Sequence, residues 1–109
     1  MATHHALPAE IVDLDTWAQD MPGEQTKAIV KTAEMELARL VLAAGKELPT
    51  HKVSGPIIVH CLTGEITLTA MGKIQSLMPG QLLHLAPNEP HSVQAIADSV
   101  FLLTIIFKD

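Results

Sequence analysis

Side chains that could bind a metal ion or a polar ligand are concentrated in the second half of the chain. His51, His60 and Cys61 lie within one short stretch that has the pattern of a β-strand, and His84 and His91 follow downstream. Histidine is the commonest metal ligand in proteins, and a cysteine thiolate is a good ligand for softer metals. These residue types raise two hypotheses, a metal centre and a pocket whose imidazoles bind a polar group of a ligand.

Most other chemistries are disfavoured by the composition. The sequence has no glycine-rich phosphate loop, no GxSxG elbow and no HExxH helix. The formal net charge is -5, and the seven Lys and Arg residues are spread along the chain, so no basic stripe is available for nucleic acid. With one Trp, two Phe and no Tyr, a stacking platform for bases or sugars is not expected. We therefore expect a small-molecule ligand in a pocket lined mainly by aliphatic side chains.

The composition also predicts a soluble, cytoplasmic protein. Hydrophobic residues make up 48% and charged residues 17% of the chain, which argues against disorder. Residues 1–10 lack the pattern of a signal peptide, and the longest apolar run, residues 100–107, is far shorter than the roughly 20 residues of a membrane helix. The single cysteine excludes an internal disulfide and fits a reducing compartment. No membrane partner is expected.

Short β-strands are the elements that would position these side chains. Gly and Pro residues interrupt the chain at intervals of about ten residues, which is typical of an antiparallel sandwich or barrel. The predicted strands are residues 26–32, 35–43, 56–62, 65–70, 73–77, 81–86, 92–97 and 99–107. Between the second and third of these strands, Gly45 and Pro49 indicate a connection. Residues 1–23 are predicted to be a lead-in with a short helical turn, and residues 24–109 to be the β-barrel domain.

Alternation along strand 56–62 decides which of its side chains can reach a common site. Successive side chains of a strand point to opposite faces, so Ile57, Val59 and Cys61 share one face and His60 lies on the other. A β-bulge would reverse the assignment of His60. His84 stands among leucines, and it is either a core histidine with one partner or a pocket residue.

The spacing of Gly, Pro and His between residues 45 and 91 resembles the cupin superfamily, in particular its small members with a single barrel. The first cupin motif begins with a Gly, five further residues and a His, as in Gly45 to His51 here. The second motif is similar to the run PGQLLHLAPNEPH, residues 79–91. Asn88 stands at a Gly position of that motif, and asparagine tolerates a left-handed backbone. The resemblance covers roughly residues 26–107.

The resemblance implies an all-β cupin double-stranded β-helix, a jelly-roll-like antiparallel barrel, after a short N-terminal lead-in. It places His51 and His91 inward near one mouth of the barrel. Cupins use three His and one Glu to bind a metal, but Val53 stands at the second His position and Ile57 at the Glu position. The ligand pocket is therefore predicted to include the residues His51, His91, His84, Ile57 and Val59. A homodimer formed through sheet surfaces is also expected.

Three functional hypotheses follow from these residues and the resemblance. The first is a barrel that binds a small molecule without redox chemistry, with His51 and His91 bonded to the ligand. The second is a metal-dependent enzyme, dioxygenase-like or isomerase-like, in which His51 and His91 bind a divalent Fe, Mn, Ni or Zn ion, with His60, His84 or Cys61 as further ligands. The third is metal-free acid–base chemistry by His91, because imidazole exchanges protons near neutral pH.

Overall fold

Nine β-strands build the described part of the barrel. A computed structural model describes residues 5–14 and 27–107 of the 109-residue chain. The strands are β1 (Lys27–Lys31), β2 (Met35–Leu42), β3 (Glu47–His51), β4 (Ile57–Thr63), β5 (Ile66–Ala70), β6 (Lys73–Leu77), β7 (Leu82–Leu85), β8 (His91–Ala95) and β9 (Ser99–Ile106). The second half of the predicted helical turn, residues 15–20, lies outside the described residues. Within the described residues, no helix is long and apolar enough to cross a membrane.

The strands form two antiparallel sheets that face each other. The five-stranded sheet has the order β1-β2-β9-β4-β7, and the four-stranded sheet has the order β3-β8-β5-β6. Neighbours along the chain therefore often lie in different sheets, as in a jelly roll. The free edges of β6 and β7 are joined by the short connection 78–81 and form one seam between the sheets. The predicted antiparallel barrel is confirmed.

Turn residues explain several of the strand ends. Met71 and Gly72 have positive φ angles of 55° and 73°, as a two-residue hairpin of type I′ requires, and they set the register that pairs Ala70 with Lys73. The predicted β5–β6 hairpin is thus confirmed. Asn88 has a φ of 65°, which confirms that it takes the left-handed conformation of the glycine it replaces in the motif.

Alternating aliphatic side chains fill the space between the two sheets. The four-stranded sheet contributes Ile66, Leu68 and Val93, and the five-stranded sheet faces them with Val59 and Phe101. Full burial of one such side chain stabilises the fold by about 1.5–3 kcal/mol. The β-branched and aliphatic residues that predicted these strands are therefore the residues that hold the sheets together.

A close contact between two turns fixes one end of the barrel. Gly64, with a φ of 81°, passes directly against Ser99, where an added Cβ would lie 2.8 Å from the Ser99 Cα. The Ser99 hydroxyl is buried; it accepts a hydrogen bond from the Glu65 amide at 3.1 Å and donates to the Ala97 carbonyl at 2.7 Å. The β4–β5 turn is thereby attached to the β8–β9 turn.

Strand β3 is the main difference from the sequence prediction. The sequence predicts a connection over these residues because Gly45 and Pro49 interrupt the chain there. In the structure β3 pairs with β8, and a register shift between Leu48 and His51 accommodates the extra residue. Proline is tolerated at such an irregularity because its missing N–H is not needed there. The strand is held by a partner distant in sequence, which local pattern does not reveal.

Candidate functional site

His51 and His91 form a pair of imidazoles at one end of the four-stranded sheet. The two residues are direct partners across β3 and β8, and their ring centroids lie 4.4 Å apart with the ring planes tilted by 57°. His91 is buried and His51 is exposed, so the pair extends from the interior to the surface. The structure thus brings the two rings together, with His51 exposed at the end of the sheet, and their role as pocket residues stays a prediction.

Backbone carbonyls fix the orientation of both rings. Nδ1 of His51 is 3.0 Å from the Pro49 carbonyl oxygen, and Nδ1 of His91 is 2.9 Å from the Glu89 carbonyl oxygen. A carbonyl can only accept a hydrogen bond, so Nδ1 must carry the hydrogen in each contact. In the neutral rings Nε2 is then an acceptor. With Nδ1 bonded to a carbonyl in both residues, Nε2 is the nitrogen of each ring that remains for a further hydrogen bond.

The irregularity in β3 is what brings His51 to this position. Leu48 pairs with Val93, and His51, three residues later, pairs with His91, only two residues away on the other strand. One extra residue in β3 therefore lets Leu48 and His51 lie on the same face despite their odd spacing. Without it, His51 would face away from His91.

Aliphatic packing occupies the remaining metal-ligand positions of the cupin motif. Ile57 is buried within the core cluster, and Val53 packs against that cluster. Among the described residues, no group of three His, Cys, Asp or Glu side chains is placed to hold a metal ion. Protein sites for the expected metals normally have three or four protein ligands. The described residues therefore do not fit a resident metal of the usual cupin kind.

The other candidate ligands are not brought to the imidazole pair. His60 pairs with Leu82 and Leu102 on the outer face of the five-stranded sheet, as its alternation predicted, and His84 lies on that same face opposite Ile58. Cys61 is on the inner face but is buried in the core. Ile57 and Val59 also point inward, where they form packed core.

His84 instead borders an apolar depression on the outer face. The depression has a volume of about 230 Å³, and its lining also includes Pro56, Ile57, Ile58 and Ile106. Two of the predicted pocket residues, Ile57 and His84, therefore border this depression and not the imidazole pair. Exposed aliphatic side chains on a sheet face are compatible with the homodimer expected from the sequence. The homodimer stays a prediction.

A second set of cavities follows the seam between β6 and β7. One cavity of about 160 Å³ is lined by Leu68, Ala70, Met71, Lys73, Gln75, Leu83, His84 and Leu85. An adjoining groove of about 380 Å³ shares two of these residues, Gln75 and Leu83. Sequence reasoning missed Lys73 and Gln75 as pocket residues. The two-residue Met71-Gly72 turn was the available signal, because it fixes Lys73 opposite Ala70 and Gln75 opposite Leu68.

Cys61 is expected to be unreactive in the folded protein. Burial, with a smaller contribution from the negative charge of Glu65, raises the pKa of the Cys61 thiol above its ordinary value of 9.0. The thiolate is the reactive form, so a thiol reagent should label Cys61 only when the chain unfolds. The thiol of the unfolded chain has the lower pKa and loses its proton first as the pH rises. The contribution of Cys61 to the free energy of unfolding is therefore fully present below pH 9.0 and should decline as the pH rises towards the native pKa. Labelling kinetics with and without denaturant test the low reactivity of Cys61, and rapid labelling of the native protein would contradict it.

The fold agrees with several solved structures at low sequence identity. A conserved protein of unknown function from Streptococcus pyogenes superposes with a TM-score of 0.80 at 20% identity, covering 97% of this chain and 94% of that one. A cupin superfamily protein from Desulfitobacterium hafniense gives a TM-score of 0.74 at 16% identity, covering 76% of each chain. The DMSP lyase DddQ from Ruegeria pomeroyi gives 0.68 at 18% identity, covering 77% of this chain and 46% of that one.

Comparisons of the amino-acid sequence, in contrast to the structural superpositions, give no match. No protein-family profile matches the chain, and no curated protein sequence matches it. Identities of 20% or below with the three structures establish a shared architecture and leave the chemistry open, since one fold supports many functions. The two antiparallel sheets, the strand order and these superpositions together show that the chain has the cupin fold.

Proposed function

We propose that this barrel binds a small molecule without using a metal, and that His51 and His91 bond to a polar group of the ligand. The observation that carries the proposal is the anchored imidazole pair, with each Nδ1 bonded to a backbone carbonyl and each Nε2 left as an acceptor. Two acceptors side by side suit a ligand with a hydrogen-bond donor such as a hydroxyl. The aliphatic residues Val53 and Ile57 support a role without a metal, because neither side chain can coordinate one.

Histidine variants that keep an aromatic ring but remove its nitrogens test the proposal. Compounds with hydroxyl groups would be screened by thermal unfolding in the presence of a chelator. A ligand at about ten times its Kd stabilises a protein by about 1.4 kcal/mol, which raises the Tm of a domain of this size by several degrees. We expect stabilisation of the wild type by at least one compound, and its loss in His91→Phe and His51→Phe.

His60→Phe is the matched control, because His60 lies on the outer face of the other sheet. It should bind the same compounds as the wild type. Stabilisation that appears only after addition of Fe, Mn, Ni or Zn would reject the metal-free proposal and favour the metal-dependent enzyme. Measuring the metal content of untagged protein purified without chelator separates these two outcomes directly.

A further inference from the structure

The inner face of the four-stranded sheet carries a row of basic side chains at one end. His51 pairs with His91, His91 pairs with Ala70, and Ala70 pairs with Lys73, so the four residues cross β3, β8, β5 and β6 in register. Residues directly opposite each other in antiparallel strands lie on the same face of the sheet. Two imidazoles and one ammonium group thus share one transverse row.

Three of the four residues in the neighbouring row on the same face are apolar, and the fourth is Gln75. Moving one step along the strands, Leu48, Val93, Leu68 and Gln75 are paired across the same four strands. The basic groups are therefore confined to the end of the barrel, and the interior behind them is mainly hydrocarbon. This gradient suits a ligand with a polar head and a short apolar body.

Ala70 leaves a gap between the two basic ends of the row. Neighbouring strands lie about 4.8 Å apart, so His91 and Lys73 are separated by about 10 Å at the backbone. Ala70 and Lys73 both line the cavity of about 160 Å³, together with Leu83 and Leu85 of the facing sheet. A cavity of about 150 Å³ is large enough for benzene, so a small organic molecule fits here.

The charges around this cavity favour an anionic group. Lys73 is the one permanently charged side chain in the lining of the cavity and its adjoining groove, and no residue of either lining carries a carboxylate. The chain as a whole has a net charge of -5. The charge in the cavity lining therefore has the opposite sign to the net charge of the protein. A ligand carboxylate near Lys73 would form a charge-assisted hydrogen bond.

We propose that the row formed by His51, His91, Ala70 and Lys73 binds a small aliphatic hydroxycarboxylate. The carboxylate lies at Lys73, the hydroxyl donates to Nε2 of His91, and the hydrocarbon part lies against Leu83 and Leu85. This inference rests on the proposed function and adds to it the chemical class of the ligand and the entry route through the β6–β7 seam.

Three related compounds test the assignment. Leucic acid has the carboxylate, hydroxyl and branched chain, its amide lacks the negative charge, and isocaproate lacks the hydroxyl. Affinities would be measured by NMR titration of the full chain in the presence of a chelator. The amide loses a hydrogen bond to a charged group, so we expect leucate to bind about tenfold more tightly than the amide. Isocaproate loses only a neutral hydrogen bond, so we expect it to bind about fivefold more weakly than leucate.

Variants of the row identify which group each part of the ligand contacts. Lys73→Met should weaken leucate about tenfold, to the level of the amide, and leave binding of the amide unchanged. Ala70→Leu should abolish binding of all three compounds by filling the gap. Lys46→Met is the matched control, because Lys46 is an exposed lysine next to Ala95, beyond the opposite end of β8 from His91. It should bind leucate as the wild type does.

The outcomes separate this inference from the proposed function. Equal binding of leucate and its amide, or unchanged leucate binding in Lys73→Met, would reject the carboxylate assignment. If the amide still shifted the Nε2 resonance of His91 in that case, the metal-free binding function would stand alone. If none of the compounds shifted the imidazole resonances or the resonances of β5 and β6, the hydroxycarboxylate assignment would be rejected. The role of the imidazole pair would be rejected only if the wider screen of compounds with hydroxyl groups also gave no stabilisation.

Discussion

Replacing Gly64 by alanine is expected to lower the free energy of unfolding by about 4 kcal/mol, because two penalties combine. The φ of 81° at this position disfavours any residue with a Cβ, and the new methyl group would collide with the Ser99 side chain and the Asp98 carbonyl. The Asp98 and Ser99 backbone cannot move without disturbing the hydrogen bonds that Ser99 makes to Glu65 and Ala97. Urea unfolding followed by circular dichroism measures the loss.

Gly72→Ala separates the collision from the backbone penalty. Gly72 has a similar φ of 73°, but nothing lies within 4 Å of the position where its Cβ would be. This variant should lose only about 1 kcal/mol, the cost of the left-handed conformation. Equal losses in the two variants would show that the contact between the two turns contributes little to stability.

Installing the two missing cupin ligands is expected to create a metal site. In the double variant Val53→His, Ile57→Glu, the new side chains would join His51 and His91 to complete the set of three His and one Glu that the motif predicts. Without metal, the buried carboxylate at position 57 should destabilise the barrel by several kcal/mol. A metal at about a thousand times its Kd should return about 4 kcal/mol. Metal content and thermal unfolding with added Ni or Zn measure both effects.

Two controls restrict the interpretation of this result. Adding His91→Ala to the double variant should weaken metal binding at least tenfold, because the carbonyl-anchored imidazole is lost and three of the four ligands remain. Ile58→Glu places the same charge one residue away on the outer face, where Ile58 is 40% exposed, and it should neither bind metal nor destabilise strongly. A double variant that bound no metal would mean that Val53 and Ile57 do not correspond to the cupin ligand positions.

Much of the fold could be predicted because local signals and tertiary structure agree. The hairpin through Met71 and Gly72 follows from turn chemistry alone, and the alternation of Ile57, Val59 and Cys61 correctly indicates the inner face of β4. Strand β3 could not be predicted in this way. Its side chains are mostly exposed, so no hydrophobic periodicity marks it, and its pairing with β8 depends on residues about forty positions away.

The candidate site was predictable only in part for the same reason. His51 and His91 could be placed together because the spacing of the cupin motifs includes both. The addition of Ala70 and Lys73 to their row required the pairing of β5 with β8, which no local pattern contains. His84 was ambiguous because a histidine between leucines fits either face of a strand, and only the pairing with Ile58 places it outside.

The central position of β9 has a consequence for synthesis in the cell. β9 lies between β2 and β4, and its pairing with β2 joins Met35 to Ile106. A ribosome releases β2 and β4 long before β9, so their inner edges stay open to other nascent chains in the meantime. The five-stranded sheet cannot close until the residues of β9 have emerged from the exit tunnel. The five-stranded sheet is therefore expected to close after the β5–β6 hairpin, whose two strands are adjacent along the chain, has already formed.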